Sequence, residues 1–158
     1  MNYYVLVVNR TENVHGGWIS ARELATRRLA QKSWGLYERT THRKRIAPQD
    51  KLLVYLAGAH QMVFFATATV ESITHEGGGI VDGMDALTET PASTLKLTDI
   101  RLFKVLPKIS DLKDRLQFIP KGTSKWGVAL QGGLKRISKA DYDLILLAGE
   151  ITGPNAPR

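Results

Sequence analysis

Few groups in this 158-residue chain are placed to make or break bonds. The four histidines, His15, His42, His60 and His75, each fall in a segment that reads as loop or turn, and no two stand four apart. No His-Glu-x-x-His pattern exists, which argues against a zinc hydrolase. The absence of cysteine excludes a disulfide scaffold, a thiolate metal site, an iron–sulfur cluster and a cysteine nucleophile. There is no Gly-x-Ser-x-Gly nucleophile elbow, and Gly77-Gly-Gly79 is not followed by the Lys-Ser or Lys-Thr of a phosphate loop. Ser124 and Lys125 are merely adjacent. Asp82 and Asp85 are carboxylates beside glycines, suited to a hard cation or to a solvated turn. The expectation is a binding protein with no catalytic residue, metal or cofactor.

Residues that could bind are better placed. Trp34 stands just before the densest basic run, Arg39 to Arg45, which holds Arg39, Arg43, Lys44 and Arg45. An aromatic ring beside a phosphate-binding surface is what base stacking requires, each stacked base gaining ~1–3 kcal/mol. The basic run would hold the backbone while the ring holds one base. The alternative for Trp34 is the core, where most tryptophans bury their large apolar area. Asn9 and Asn13 follow the first predicted strand. Their amides offer a donor and an acceptor for a base edge, or close an asparagine turn.

The elements that must position these groups follow from periodicity. Tyr3–Val8 is β-branched and aromatic and reads as a buried strand. Asn9–Gly17 is a polar loop. Ser20 and Glu23 form a capping box for a helix running to about Gln31, with Leu24, Ala25 and Leu29 on its apolar face. Trp34–Tyr37 is a short extended piece. Leu52–Leu56 and Met62–Ile73, joined by a glycine-containing turn, predict an antiparallel hairpin. Residues 74–91 form a glycine-rich acidic loop, a lid or a disordered insertion. Leu95 to Val105 marks a strand with a bulge, Ser110–Leu116 a helix capped by Ser110, and Trp126–Leu130 a further strand. Ser138 caps a last helix that Gly149 stops. One α+β domain spans 1–148, with a tail over 149–158. Strands this few curl into a small, partly open barrel.

The charge favours a polyanionic partner. Lysine and arginine number 22 against 15 acids, a net of +7. Residues 21–45 carry +6 and residues 71–99 carry −5, a segregation that builds a positive face. No apolar run approaches the ~20 residues of a membrane helix. No basic region precedes an apolar stretch at the N-terminus, so a cytoplasmic protein without a membrane partner is expected.

Together these pieces resemble a known family. Tyr4-Val-Leu-Val-Val-Asn9, Trp34-Gly-Leu-Tyr-Glu-Arg39 and Pro48-Gln-Asp-Lys-Leu52 look like the N-terminal half of the EVE domain. Leu116-Gln-Phe-Ile119, Lys125-Trp-Gly127, Gly132-Gly133 and Arg136–Tyr142 look like its closing signature. The EVE domain is a PUA-like fold, similar to the YTH domain, which reads N6-methyladenine in RNA. The string Asn9-x-x-Glu12-Asn13-Val14 followed by Trp34 is shared with that domain. The resemblance implies a PUA-like, twisted and partly open barrel of five to six strands with short flanking helices. It implies a non-enzymatic module that takes a modified, methylated base of DNA or RNA, flipped into an aromatic cage. Trp34 would be the cage wall, Asn13 and Asn9 the edge readers, and Gly35 and Leu36 backbone groups and a second wall. Tyr55 would supply another ring or belong to the core. Arg39, Arg43, Lys44, Arg45, Lys121, Lys125 and Arg136 are the phosphate candidates, and a nuclease or other effector is the candidate protein partner. The alternative is a pocket for a free nucleoside or nucleotide-like molecule, with or without catalysis. A plain RNA-binding module with Trp34 in its core is a third.

Overall fold

Strands covered on both faces read as continuous apolar runs rather than alternating ones. Tyr3–Val8 (β1) and Lys51–Leu56 (β5) are strands of this kind. The computed structural model describes residues 1–58, 60–75, 91–122 and 126–150. Asp82, Asp85, nearly all of the acidic glycine-rich loop, Ser124, Lys125 and the tail beyond Glu150 lie outside the described residues.

β1 and β5 pair in parallel, Tyr3 opposite Lys51 through Val8 opposite Leu56. The chain between them supplies Thr11–Glu12 (β2), Trp18–Ile19 (β3), the helix Ala21–Gln31 (α1) and Ser33–Leu36 (β4). β5 forms the expected antiparallel hairpin with Val63–Thr74 (β6). β6 pairs with Ser93–Leu102 (β7), and β7 with β4. Leu134–Ile137 (β8) closes on the other side of β1. The order β4-β7-β6-β5-β1-β8 makes one six-stranded sheet, curled into a half-barrel.

Each face of the sheet has its own core. Tyr4, Leu6, Leu52, Val54 and Leu56 pack with Leu24, Ala25 and Leu29 of α1, the face predicted from its periodicity. Val5, Leu53, Tyr55 and Phe64 pack with Ile109 and Leu112 of α2 (Ile109–Leu112) and Ile145 and Leu146 of α3 (Lys139–Ala148). The β5–β6 register slips between Val54 and Tyr55. The extra residue puts Phe65 and Ala66 into the same core. A second slip opposite Thr67 and Thr69 brackets Asp99, whose φ of 49° gives β7 the predicted bulge.

Two of the three expected serine caps are present. Ser20 Oγ accepts from the Glu23 amide at 3.1 Å, and Ser138 Oγ from the Asp141 amide at 3.1 Å. α3 ends at Gly149, where an added Cβ would run into the Phe103 ring. Other expectations need correction. Trp126–Leu130 is a 3-10 helix, not a strand. Its apolar run is short and carries a glycine, and period alone cannot separate a strand from a helical turn at that length. The strand comes later, as β8, after Gly132 and Gly133 turn the chain with φ of 91° and 79°. The Ser110 cap is absent: α2 begins at Ile109, and Lys108 precedes it without a side-chain cap.

Candidate nucleic-acid interface

Because β1 and β5 are parallel, the chain leaves both at the same end of the sheet. The loops after Val8 and after Leu56 therefore meet, pinned by the Ala57 amide donating to Val8 O at 2.8 Å. Gly58 turns the second loop at φ +112°, a conformation that side chains disfavour. The start of α1 faces the same place. Between them lies a depression of about 540 Å³ lined by Asn9, Arg10, Trp18, Ser20, His60 and Gln61.

Trp18 is the main aromatic surface there. Its relative exposure is 59%, far above what a ring of that size shows in a core, and the Arg10 guanidinium lies 4.4 Å from its ring centre. The ring is held by a short ribbon in which Thr11 pairs with Ile19 and Glu12 with Trp18. Ile19, buried, anchors the ribbon to the core. Asn13 closes it: its Oδ1 accepts from the His15 and Gly17 amides, both at 2.9 Å, and its own amide donates to Gly17 O at 2.7 Å. Asn13 is thus the asparagine turn, and its carbonyl oxygen is spent on positioning the residue before Trp18. It is not turned to a base edge. Asn9, exposed, lines the depression.

A second depression of about 550 Å³ adjoins the first through Asn9 and Gly58 and is bounded by Tyr55, Met62, Gly132 and Gly133. Tyr55 borders it, yet its ring packs 5.1 Å from Phe64, and burial pushes its hydroxyl up to about 12. It remains a neutral phenol, mostly part of the core.

The cage assignment of Trp34 is not what the structure shows. Trp34 is 3% exposed, sits in the core cluster with α1, and has the Arg28 guanidinium 5.3 Å from its ring. No face is left open for a base. Leu36 is buried too, and its carbonyl accepts from the Ala92 amide at 2.8 Å; Gly35 pairs with Thr94. The Leu36 carbonyl is thereby spent within the protein. The reason is the placement of β4: it pairs with β7 along the sheet edge, so alternate residues of Ser33–Leu36 point into the barrel.

The basic run separates into two kinds. Arg43 is 8% exposed; its Nη1 donates to Ser93 Oγ at 2.9 Å and its Nη2 lies 3.6 Å from Glu38. It is a structural tie, not a phosphate ligand. Arg39, Lys44 and Arg45 are exposed. The charges of Arg45 and of Arg136, on β8, both act on the His42 imidazole. Lys121 is exposed elsewhere and bonds the Asp114 carbonyl. Lys125 lies outside the described residues. No group of three His, Asp or Glu able to hold a metal occurs among the described residues, and no helix among them is long and apolar enough to cross a membrane.

By sequence, the chain matches no family model and no curated protein. By structure it matches several. Human THYN1 in complex with DNA containing 5-methylcytosine superposes with a TM-score of 0.61 at 11% identity, over 97% of this chain and 100% of that one. The fold is the PUA-like one. The N-terminal domain of Staphylothermus marinus McrB gives 0.57 at 11% identity, over 90% of this chain and 92% of the other. A Leishmania major protein gives 0.57 at 16% identity, with 95% of each chain covered. At these identities the likeness concerns the fold.

Trp18 was the residue that sequence reasoning passed over. A signal existed: Gly16-Gly17 before it and a capping serine after it place the tryptophan on an exposed ribbon at a helix start.

Proposed function

We propose that this PUA-like domain, of the EVE type, is a non-enzymatic reader of a methylated base in nucleic acid, and that the base stacks on Trp18. The observation that carries the reading is the exposed Trp18 ring, with a guanidinium against it, beside a cavity at the loop end of β1 and β5. A flipped base needs a π-surface, a polar edge partner and a cation for its phosphate. Trp18, Asn9 and Arg10 are those three groups in one place. The net charge of +7 supplies affinity without sequence preference. The neighbour THYN1, seen with 5-methylcytosine DNA, supports DNA carrying that base as the first ligand to try. A methyl group in such a pocket gives modest discrimination, about 1–3 kcal/mol for a one-carbon increment.

The test is fluorescence anisotropy with matched DNA and RNA strands, each with one 5-methylcytosine, one N6-methyladenine or no modification, at one salt concentration. One modified strand is expected to bind several-fold tighter than its control. Trp18→Ala is expected to cost about 1–3 kcal/mol of binding, on the order of tenfold or more, with the fold intact. Equal binding of all strands, or wild-type affinity in Trp18→Ala, contradicts the reading.

A further inference from the structure

Five cations of the described residues are neutralised within the protein. Arg43, Lys96, Arg101, Lys113 and Lys139 each lie within ion-pair distance of a carboxylate. Arg45 and Lys135 have no such partner among the described residues, and Arg136 bonds a neutral group, donating from Nη2 to Asn2 Oδ1 at 3.0 Å. Lys135 and Arg136 are successive residues of β8, the edge strand of the sheet, and project to opposite faces of it, Arg136 on the Tyr4 side, where His42 and Arg45 also lie. Arg136 lies opposite Tyr4 in the β1–β8 register, and the Tyr4 ring lies 5.9 Å from that of His42. Arg45 is three residues further along the same turn, its amide donating to His42 O at 2.9 Å.

The turn is fixed in place before any ligand arrives. The Thr41 amide donates to Gly132 O at 3.1 Å, just ahead of β8, and a Cβ on Gly132 would collide with Thr41. Ile46 is buried in the core, and Arg43 ties the turn to Ser93. Cations on a preformed turn and a sheet edge lose little freedom on meeting an anion. Burial, then the charges of Arg45, Arg136 and Lys135, hold the His42 imidazole below its ordinary value. Asp50, an acid that acts on Tyr4, accepts from the amides of Asn2 and Ala47, both at 2.8 Å.

We propose that this edge is a phosphodiester-binding surface, in which Arg45, Lys135 and Arg136 hold the backbone of a nucleic acid and His42 gains a proton as the phosphate docks. It rests on the nucleic-acid part of the reading above and needs no base pocket. The physics is direct. Burial and the nearby cations disfavour the imidazolium, and an arriving phosphate offsets those cations and favours it. Binding is then coupled to proton uptake, so affinity rises as pH falls through the His42 range.

The experiment measures binding of one unmodified DNA duplex by the full chain as salt is varied, at about pH 8 and about pH 6, above and below the ordinary imidazole value. Arg45→Ala with Arg136→Ala is expected to reduce the slope of log affinity against log salt by about 2, and Lys135→Gln alone by about 1. Lys104→Ala with Lys108→Ala, on the connection after β7, removes the same charge and is expected to leave the slope unchanged. His42→Gln is expected to abolish most of the wild-type gain in affinity at the lower pH. Retained binding with an unchanged slope in the arginine variant overturns the proposal, as does an equal fall in the lysine control or a full pH response in His42→Gln. Displacement of DNA by inorganic phosphate, where chloride at equal ionic strength has no effect, would make this a free-phosphate site and overturn the backbone assignment. No binding of the duplex overturns this proposal, and the anisotropy of the modified DNA and RNA strands then decides the base pocket by itself. A changed slope with equal affinity for modified and unmodified DNA supports this surface and removes the base pocket.

Discussion

Arg43 and Trp34 both sit where the sequence pattern suggests a ligand, and both are held by the protein itself. Arg43 has one guanidinium nitrogen on Ser93 Oγ, which also lies 3.1 Å from His75 Nδ1. Its Nε is buried without a partner among the described residues. Truncation would remove a charged hydrogen bond and loosen the turn from the β6–β7 pair. We expect Arg43→Ala to cost about 1–3 kcal/mol of stability, lowering the thermal midpoint by several degrees while the salt slope for DNA stays as in wild type. An unchanged midpoint with a reduced slope would return Arg43 to the phosphate surface. Trp34→Ala belongs to the same class. With the ring buried, its main cost is cavity formation, about 3–5 kcal/mol of folding. Sequence position could not separate these cases, because a basic run beside a tryptophan looks the same whether its members face solvent or Ser93. Asn13 is the opposite example: both of its roles were visible in residue type, and geometry selected the turn.

At the level of elements, what depended on local signals was legible. Ser20 and Ser138 cap α1 and α3 as their spacing indicates, and Leu24, Ala25 and Leu29 face the core. The β5–β6 hairpin and the bulge in β7 also followed from pattern. What depended on long-range pairing was not. Nothing local in Tyr3–Val8 specifies a parallel partner 48 residues on, and β8 was hidden because Leu134–Ile137 carries two cations in four residues. A strand at the sheet edge tolerates such charges. Asp141, 1% exposed, joins two elements: its carboxylate accepts from the Gln117 amide at 2.9 Å and the Phe118 amide at 3.1 Å while its own amide is capped by Ser138. Asp141→Ala leaves both amides without their acceptor in a buried place. A loss of about 3 kcal/mol or more is expected by urea denaturation, with Asp141→Asn intermediate. Wild-type stability in Asp141→Ala would show that the segment after α2 is held by other means.

Across the whole molecule, the parallel pair β1–β5 organises the candidate site. It throws two loops to one end, where Trp18, Arg10 and Asn9 gather around a cavity, and the second depression continues from Asn9 to Gly132 and Gly133. Gly132 in turn meets the turn that carries His42 and Arg45. The proposed base site and the proposed phosphate surface are thus joined by one continuous run of residues. The central claim is that Trp18, and not Trp34, meets the base. The three tryptophan indole N–H signals in a proton–nitrogen correlation spectrum report each ring separately, once assigned with Trp18→Phe and Trp34→Phe. Titration with a DNA strand containing one 5-methylcytosine is predicted to shift or broaden the Trp18 signal strongly and leave that of Trp34 nearly in place. A large shift at Trp34 with Trp18 unmoved would contradict the account and put the base in the barrel.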